Sequence, residues 1–217
     1  MTPDKTTEAL KTYAALMDEA RERLMAIEKA ANWNGLAPKF ITEFCALQFR
    51  MLCETIALGC LVAHGDVGSL QVAKSTRDKW HAGELMTALG KMHAEFFPRP
   101  HNTKRIAEHV LHFEPVPNHL SKEALIQFYG RLGETLHMGR LADRLSGKKS
   151  TRPYTGEEII GNAQAIFDLL NIHMFKLIDG RLVVCFLCDP TRGGKAHVAL
   201  ASGALPKEEW PPGYEPT

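Results

Sequence analysis

The residues with the means to act on a substrate gather in one run, YGRLGETLHMGRL, where Arg131, Glu134, His137 and Arg140 recur at every third position. On a helix that interval draws a slowly drifting polar ribbon beside a leucine stripe, so the four side chains share one side. Histidine titrates near neutrality and can take or give a proton, and arginine carries a fixed planar array of donors that suits a phosphate. Together they supply what phosphodiester cleavage needs without a metal ion: a base for the attacking hydroxyl and a cation for the charge gathering on phosphorus. On a merely solvated face the same four would form ordinary helical salt bridges. A second charged pair, Arg50 and Glu54, stands four apart in an otherwise apolar run. It is expected either to brace the fold as a buried ion pair or to support a polar site.

The elements that must position these residues read as helices. Thr2 and Pro3 open the first, which runs to about Ala31 with Leu10, Tyr13, Leu16 or Met17, Ala20, Leu24 and Ile27 on one stripe. Pro38 starts a second whose half from Met51 to Ala63 is apolar nearly all round, as befits a core helix; Gly65 is its expected C-terminal cap. A third is expected over Asp78–His93, with Trp80, Leu85, Leu89 and Met92 inward. A fourth follows from Ser121 to about Leu145, with Leu125, Phe128, Leu132, Leu136 and Leu141 inward, and it carries the Arg131 ribbon. Between Pro98 and Pro117 no periodicity decides between helix and strand. After a polar linker from Ser146 to Gly156 comes a fifth helix, Glu157–Leu170. The period then turns extended: Met174–Ile178 and Arg181–Cys188 flank the hairpin turn Asp179-Gly180, and Lys195–Ala201 follows as a third strand.

The expected fold is therefore mainly α: an up-and-down four- or five-helix bundle with a small C-terminal antiparallel hairpin or three-stranded sheet. Residues 1–145 would form the bundle, 146–202 a helix plus β unit packed on it, and 203–217 a proline-rich tail. Lysine and arginine number 26 against 25 acidic residues, a net charge of +1, which is no footprint for a high-affinity duplex binder. No leader-like segment opens the chain, and Glu43, Gln48, Arg50 and Glu54 interrupt the most apolar helix, so a cytosolic protein with no membrane span is expected. Cys45, Cys53 and Cys60 lie on one stripe of that helix as small hydrophobes. Cys185 and Cys188 form a CxxC without a second ligand pair, and His93, His101, His109, His112 and His119 lack any fixed ligand spacing, so neither metal nor cofactor is expected.

An arginine followed after four to six residues by a histidine, on the fourth helix of such a bundle, resembles the diagnostic motif of the HEPN superfamily. Arg131-LGETL-His137 has that spacing and place, although Leu132 stands where the family usually has a polar residue. Arg105 with His112 and Arg192 with His197 satisfy the spacing as well. The resemblance covers roughly residues 1–145. It implies a metal-independent endoribonuclease of the toxin or defence type, working as a homodimer, with RNA as substrate and a protein regulator as partner. Arg131 would bind the scissile phosphate, His137 would handle the proton of the 2′-hydroxyl or of the leaving oxygen, and Glu134 would orient the imidazole. Arg140, Arg50 and Glu54 would be supports. The competing expectation is a non-catalytic helical module that oligomerises or binds a ligand or protein.

Overall fold

A computed structural model describes residues 5–68, 71–79, 81–108, 110–136 and 154–201. Six α-helices and five strands alternate along these residues: α1 (Lys5–Ala31), α2 (Pro38–Leu61), α3 (Lys74–Arg77), α4 (Ala82–Met92), β1 (Arg99–Ala107), β2 (Val110–Pro115), α5 (Lys122–Leu136), α6 (Gly156–Leu170), β3 (Ile172–Lys176), β4 (Leu182–Asp189) and β5 (Lys195–Ala201). The architecture is α+β, with a five-stranded antiparallel sheet in the order β2-β1-β3-β4-β5. This corrects the expected bundle with a three-stranded appendage. The overlooked strands lie in 98–117, where RPHNTKRIA is mostly polar and half its residues face water, so no alternation of apolar residues marks it.

The helical readings at each end hold closely. Tyr13, Met17, Ala20, Leu24 and Ile27 are buried on α1, packed against α2, and all three α2 cysteines are inside the core. Gly59 lets the two helices approach, since a Cβ there would lie 3.0 Å from the Tyr13 ring. At its C-terminal end α2 widens into a π-helical turn, Val62–Val67, capped at Gly68, so Gly65 does not end it in a left-handed residue. The combined segment Pro38–Val67 is long and apolar enough to cross a membrane by composition, yet 61% of its most apolar window is buried inside the fold. The expected third helix, Asp78–His93, is found as α4, which starts later than expected, with Leu85 and Leu89 buried, and the short α3 lies before that range; Trp80 lies outside the described residues, as do Leu141 and the tail. A capping box between Thr155 and Glu158 starts α6.

Strands β3, β4 and β5 follow the predicted hairpin, with Gly180 at φ 85° in its turn. Cys185, Val183, Leu187, Phe175 and His173 are buried on the side of the sheet facing α1 and α6; Cys188 is exposed. Strand β1 pairs with β3 only at Arg99 and Pro100. Beyond that point the β1–β2 hairpin folds across the other side of the sheet. Phe113 of β2 comes within 6.3 Å of Phe186 of β4, whereas three strand spacings in a flat sheet would part them by about 14 Å. His101 and His197 close this second, smaller core, meeting Phe113 and Phe186 at 6.4 and 6.3 Å.

Candidate functional site

Helix α5 is held to α2 by one polar cluster, and its hub is Tyr129. The tyrosine hydroxyl accepts a hydrogen bond from Arg50 Nη2 at 2.7 Å and donates one to Glu54 Oε1 at 2.7 Å. Arg50 Nε lies 3.5 Å from the same carboxylate, and its guanidinium sits over the Tyr129 ring, 4.3 Å from the centre. Gly133, one turn on, leaves the room this needs: a Cβ there would come within 3.2 Å of Arg50 Nη1. The ring of His81 meets Tyr129 edge-on from the far side at 4.8 Å. Burial and the adjoining Glu54 carboxylate push the Tyr129 hydroxyl up to about 12, so it stays protonated and remains a donor at ordinary pH. The expected Arg50–Glu54 pair is therefore present as a half-buried ion pair, with a third member that sequence reading missed. A tyrosine four residues after the inward Leu125 lies on the same helix face, and a buried hydroxyl there demands a partner.

The polar ribbon begins where this brace ends. Arg131 is exposed, and its guanidinium lies 5.9 Å from the centre of the Phe128 ring. Among the described residues no carboxylate comes within ion-pair distance of it. Glu134 is also exposed, one turn further along α5. His137 and Arg140 lie outside the described residues. The two other arginine–histidine pairs of matching spacing have their imidazoles on strands: His112 is 3.7 Å from Glu114, and His197 Nδ1 is 3.0 Å from Asp189 Oδ2. Among the described residues no group of three His, Cys, Asp or Glu side chains is placed to hold a metal ion.

A second polar cluster lies deep in the core. His173 Nδ1 donates to the Leu170 carbonyl at 2.8 Å, which leaves Nε2 to accept from the Tyr13 hydroxyl at 2.5 Å. His64, on the π-turn, donates from Nε2 to the Phe96 carbonyl at 2.8 Å; its Nδ1 has no partner among the described residues. The Phe175 ring stands edge-on between them, 5.4 Å from His64 and 5.6 Å from both His173 and Tyr13. Burial lowers both imidazoles to about 4, so they are neutral at pH 7. Burial likewise raises the Tyr13 hydroxyl well above its usual range. His173 and Tyr13 thus satisfy one another and the Leu170 carbonyl, while His64 keeps one ring nitrogen without a partner among the described residues; both imidazoles are enclosed in the core around α2.

Among the described residues the arrangement thus offers one exposed cation on a braced helix, Arg131, near the described end of α5 at Leu136. Compared with family models, curated proteins and solved structures, the chain matches none.

Proposed function

We propose that this chain is a metal-independent endoribonuclease of the toxin or defence type, acting as a homodimer in the cytosol under a protein regulator. The observation that supports it is Arg131, held out to solvent on a helix whose preceding turn is clamped by Arg50, Tyr129 and Glu54. An arginine that meets no carboxylate among the described residues, on a rigid element, can keep its donor array for a phosphate. In the proposed reaction the RNA 2′-hydroxyl attacks the adjacent phosphorus and the bond to the 5′-oxygen breaks. His137 moves the proton from the attacking oxygen or to the departing one, Arg131 stabilises the charge on phosphorus, Glu134 orients the imidazole, and Arg140 adds positive charge. The products are a 2′,3′-cyclic phosphate and a free 5′-hydroxyl. The sequence interval of six residues between Arg131 and His137 would amount to about 9 Å of rise on a helix, so two chains related by a dyad would converge them more readily than one.

A second reading, a non-catalytic oligomerising or partner-binding module, is favoured by the row of exposed apolar side chains on α2, among them Phe40, Phe44 and Leu47. Incubation with mixed structured RNA in excess EDTA separates the two. Cleavage to cyclic-phosphate ends is expected of the parent, falling about 10³-fold in His137→Ala and about 10²-fold in Arg131→Ala. An inert parent, or His137→Ala cutting as fast as the parent, would leave only the binding module.

A further inference from the structure

The core helix α2 is not covered on every side by the described residues. Phe40, Phe44, Leu47 and Leu58 are 51, 41, 45 and 40% exposed, with half-buried Met51 between them. Their spacings of four, three, four and seven place all five within about 60° of arc on one ridge. The flanks of the ridge are engaged. On one side Arg50 turns to Tyr129 of α5; on the other Gln48 accepts from Arg23 of α1 at 2.9 Å. At its N-terminal end the ridge runs into a groove of about 600 Å³ between α1 and α2, lined by Phe44 itself and by Trp33 and Leu36. Trp33 is 56% exposed, a costly position for an indole in a lone monomer.

We infer that this ridge joins two copies of the chain, each α2 running antiparallel to the other across a two-fold axis. Alternating steps of three and four are the seam a second helix fills, and an antiparallel pair makes this seam complementary to itself. With the dyad between Phe44 and Leu47, Phe44 faces the partner's Leu47 and Phe40 faces the partner's Met51. Glu54, which interrupts the seam, falls opposite the partner's Ala37, just outside the paired helices, and keeps its bonds to Arg50 and Tyr129. On the α5 flank Glu43, only loosely held by Lys39 at 3.8 Å, comes within about 3 Å along the axis of the partner's Arg50. Phe40, Phe44, Leu47, Leu58, Trp33 and Leu36, each 39% exposed or more, with half-buried Met51, supply the apolar centre of an interface of standard size, about 800 Å² per partner.

The pairing has a geometric consequence for the proposed reaction. A dyad perpendicular to α2 keeps both α5 helices on the same side of the paired helices, so the two Arg131 side chains border one cleft. The inference rests on the ribonuclease reading only for that consequence; the surface itself is argued from exposure and spacing. It is tested without RNA. Light scattering behind a sizing column, from about 1 to 100 µM protein, is expected to give twice the chain mass for the parent and for Ile178→Glu, a control at another exposed apolar residue. The double variant Phe44→Glu, Leu47→Glu is expected to run as a folded monomer, its dimer weakened about 100-fold or more. The truncations Phe44→Ala and Leu47→Ala, which add no charge, are expected to shift the mass the same way. A parent monomeric throughout, or seam variants that stay dimeric, would overturn the inference whether or not RNA is cut. Loss of cleavage with the dimer intact would count against the ribonuclease reading alone.

Discussion

Lowering the pH from 6.5 to 4 is expected to remove roughly 5 kcal/mol of folding stability, a large share of what a domain of this size possesses. The source is His64 and His173, both fully buried and both held at about 4 against about 6.5 in an unfolded chain. Between those two values the unfolded chain binds protons that the folded one refuses, so stability rises with pH across the window and is complete above 6.5. Each gap is worth about 3 kcal/mol. The carboxylates Glu84, Glu123, Asp179 and Asp189, lowered mainly by hydrogen bonds to neighbouring side chains and backbone, add to the loss from their ordinary range of about 4 downward. Urea midpoints measured at half-unit intervals of pH report this directly. A midpoint that stays flat from 6.5 to 4 would show that neither imidazole is neutral and enclosed as described. In Tyr13→Phe the His173 Nε2 loses its donor, and stability at pH 7 is expected to fall by about 1 to 3 kcal/mol.

Truncating Tyr129 is the second large effect. Tyr129→Ala removes a buried ring that carries Arg50 on one face and meets His81 at its edge, and it leaves Arg50 and Glu54 without their common hydroxyl. The expected loss is about 4 kcal/mol. Tyr129→Phe keeps the ring and the 3.5 Å ion pair and removes only the two hydrogen bonds, so about 1.5 kcal/mol is expected. The ratio discriminates the causes. Equal losses in the two variants would assign the brace to the hydroxyl alone, and losses under 1 kcal/mol in both would deny that this cluster ties α5 to α2.

Much of the helical half was readable from spacing, because α1 buries a single stripe whose period survives in the order of residues and α2 is apolar enough over Met51–Ala63 to mark it as the core helix. Tyr13, Met17, Ala20, Leu24 and Ile27 fall where the pattern puts them. The sheet was only half readable. Strands β3 to β5 are β-branched, turn-bounded and packed on helices, whereas β1 and β2 bury little and carry polar residues on both sides. Their place in the sheet depends on Phe113 reaching Phe186, a contact across 73 residues that no local period encodes. The same holds for the polar clusters. Arg50 and Glu54 announce themselves at four residues apart, but Tyr129 joins them from 75 residues beyond Glu54, and His173 reaches Tyr13 across 160. The exposed ridge on α2 was hidden for the opposite reason: an apolar residue reads as core until the neighbours that fail to cover it are known.

The central claim is a reaction site shared between two chains, and mixing two inactive variants tests it. Arg131→Ala and His137→Ala proteins, each crippled alone, are combined and allowed to exchange subunits, and RNA cleavage is followed in EDTA. If the site takes its arginine from one copy and its histidine from the other, half the dimers are mixed and each holds one intact site of two. Activity should then recover to about a quarter of the parent's. A mixture no more active than its components, with subunit exchange confirmed by mass, would contradict a site built from two chains.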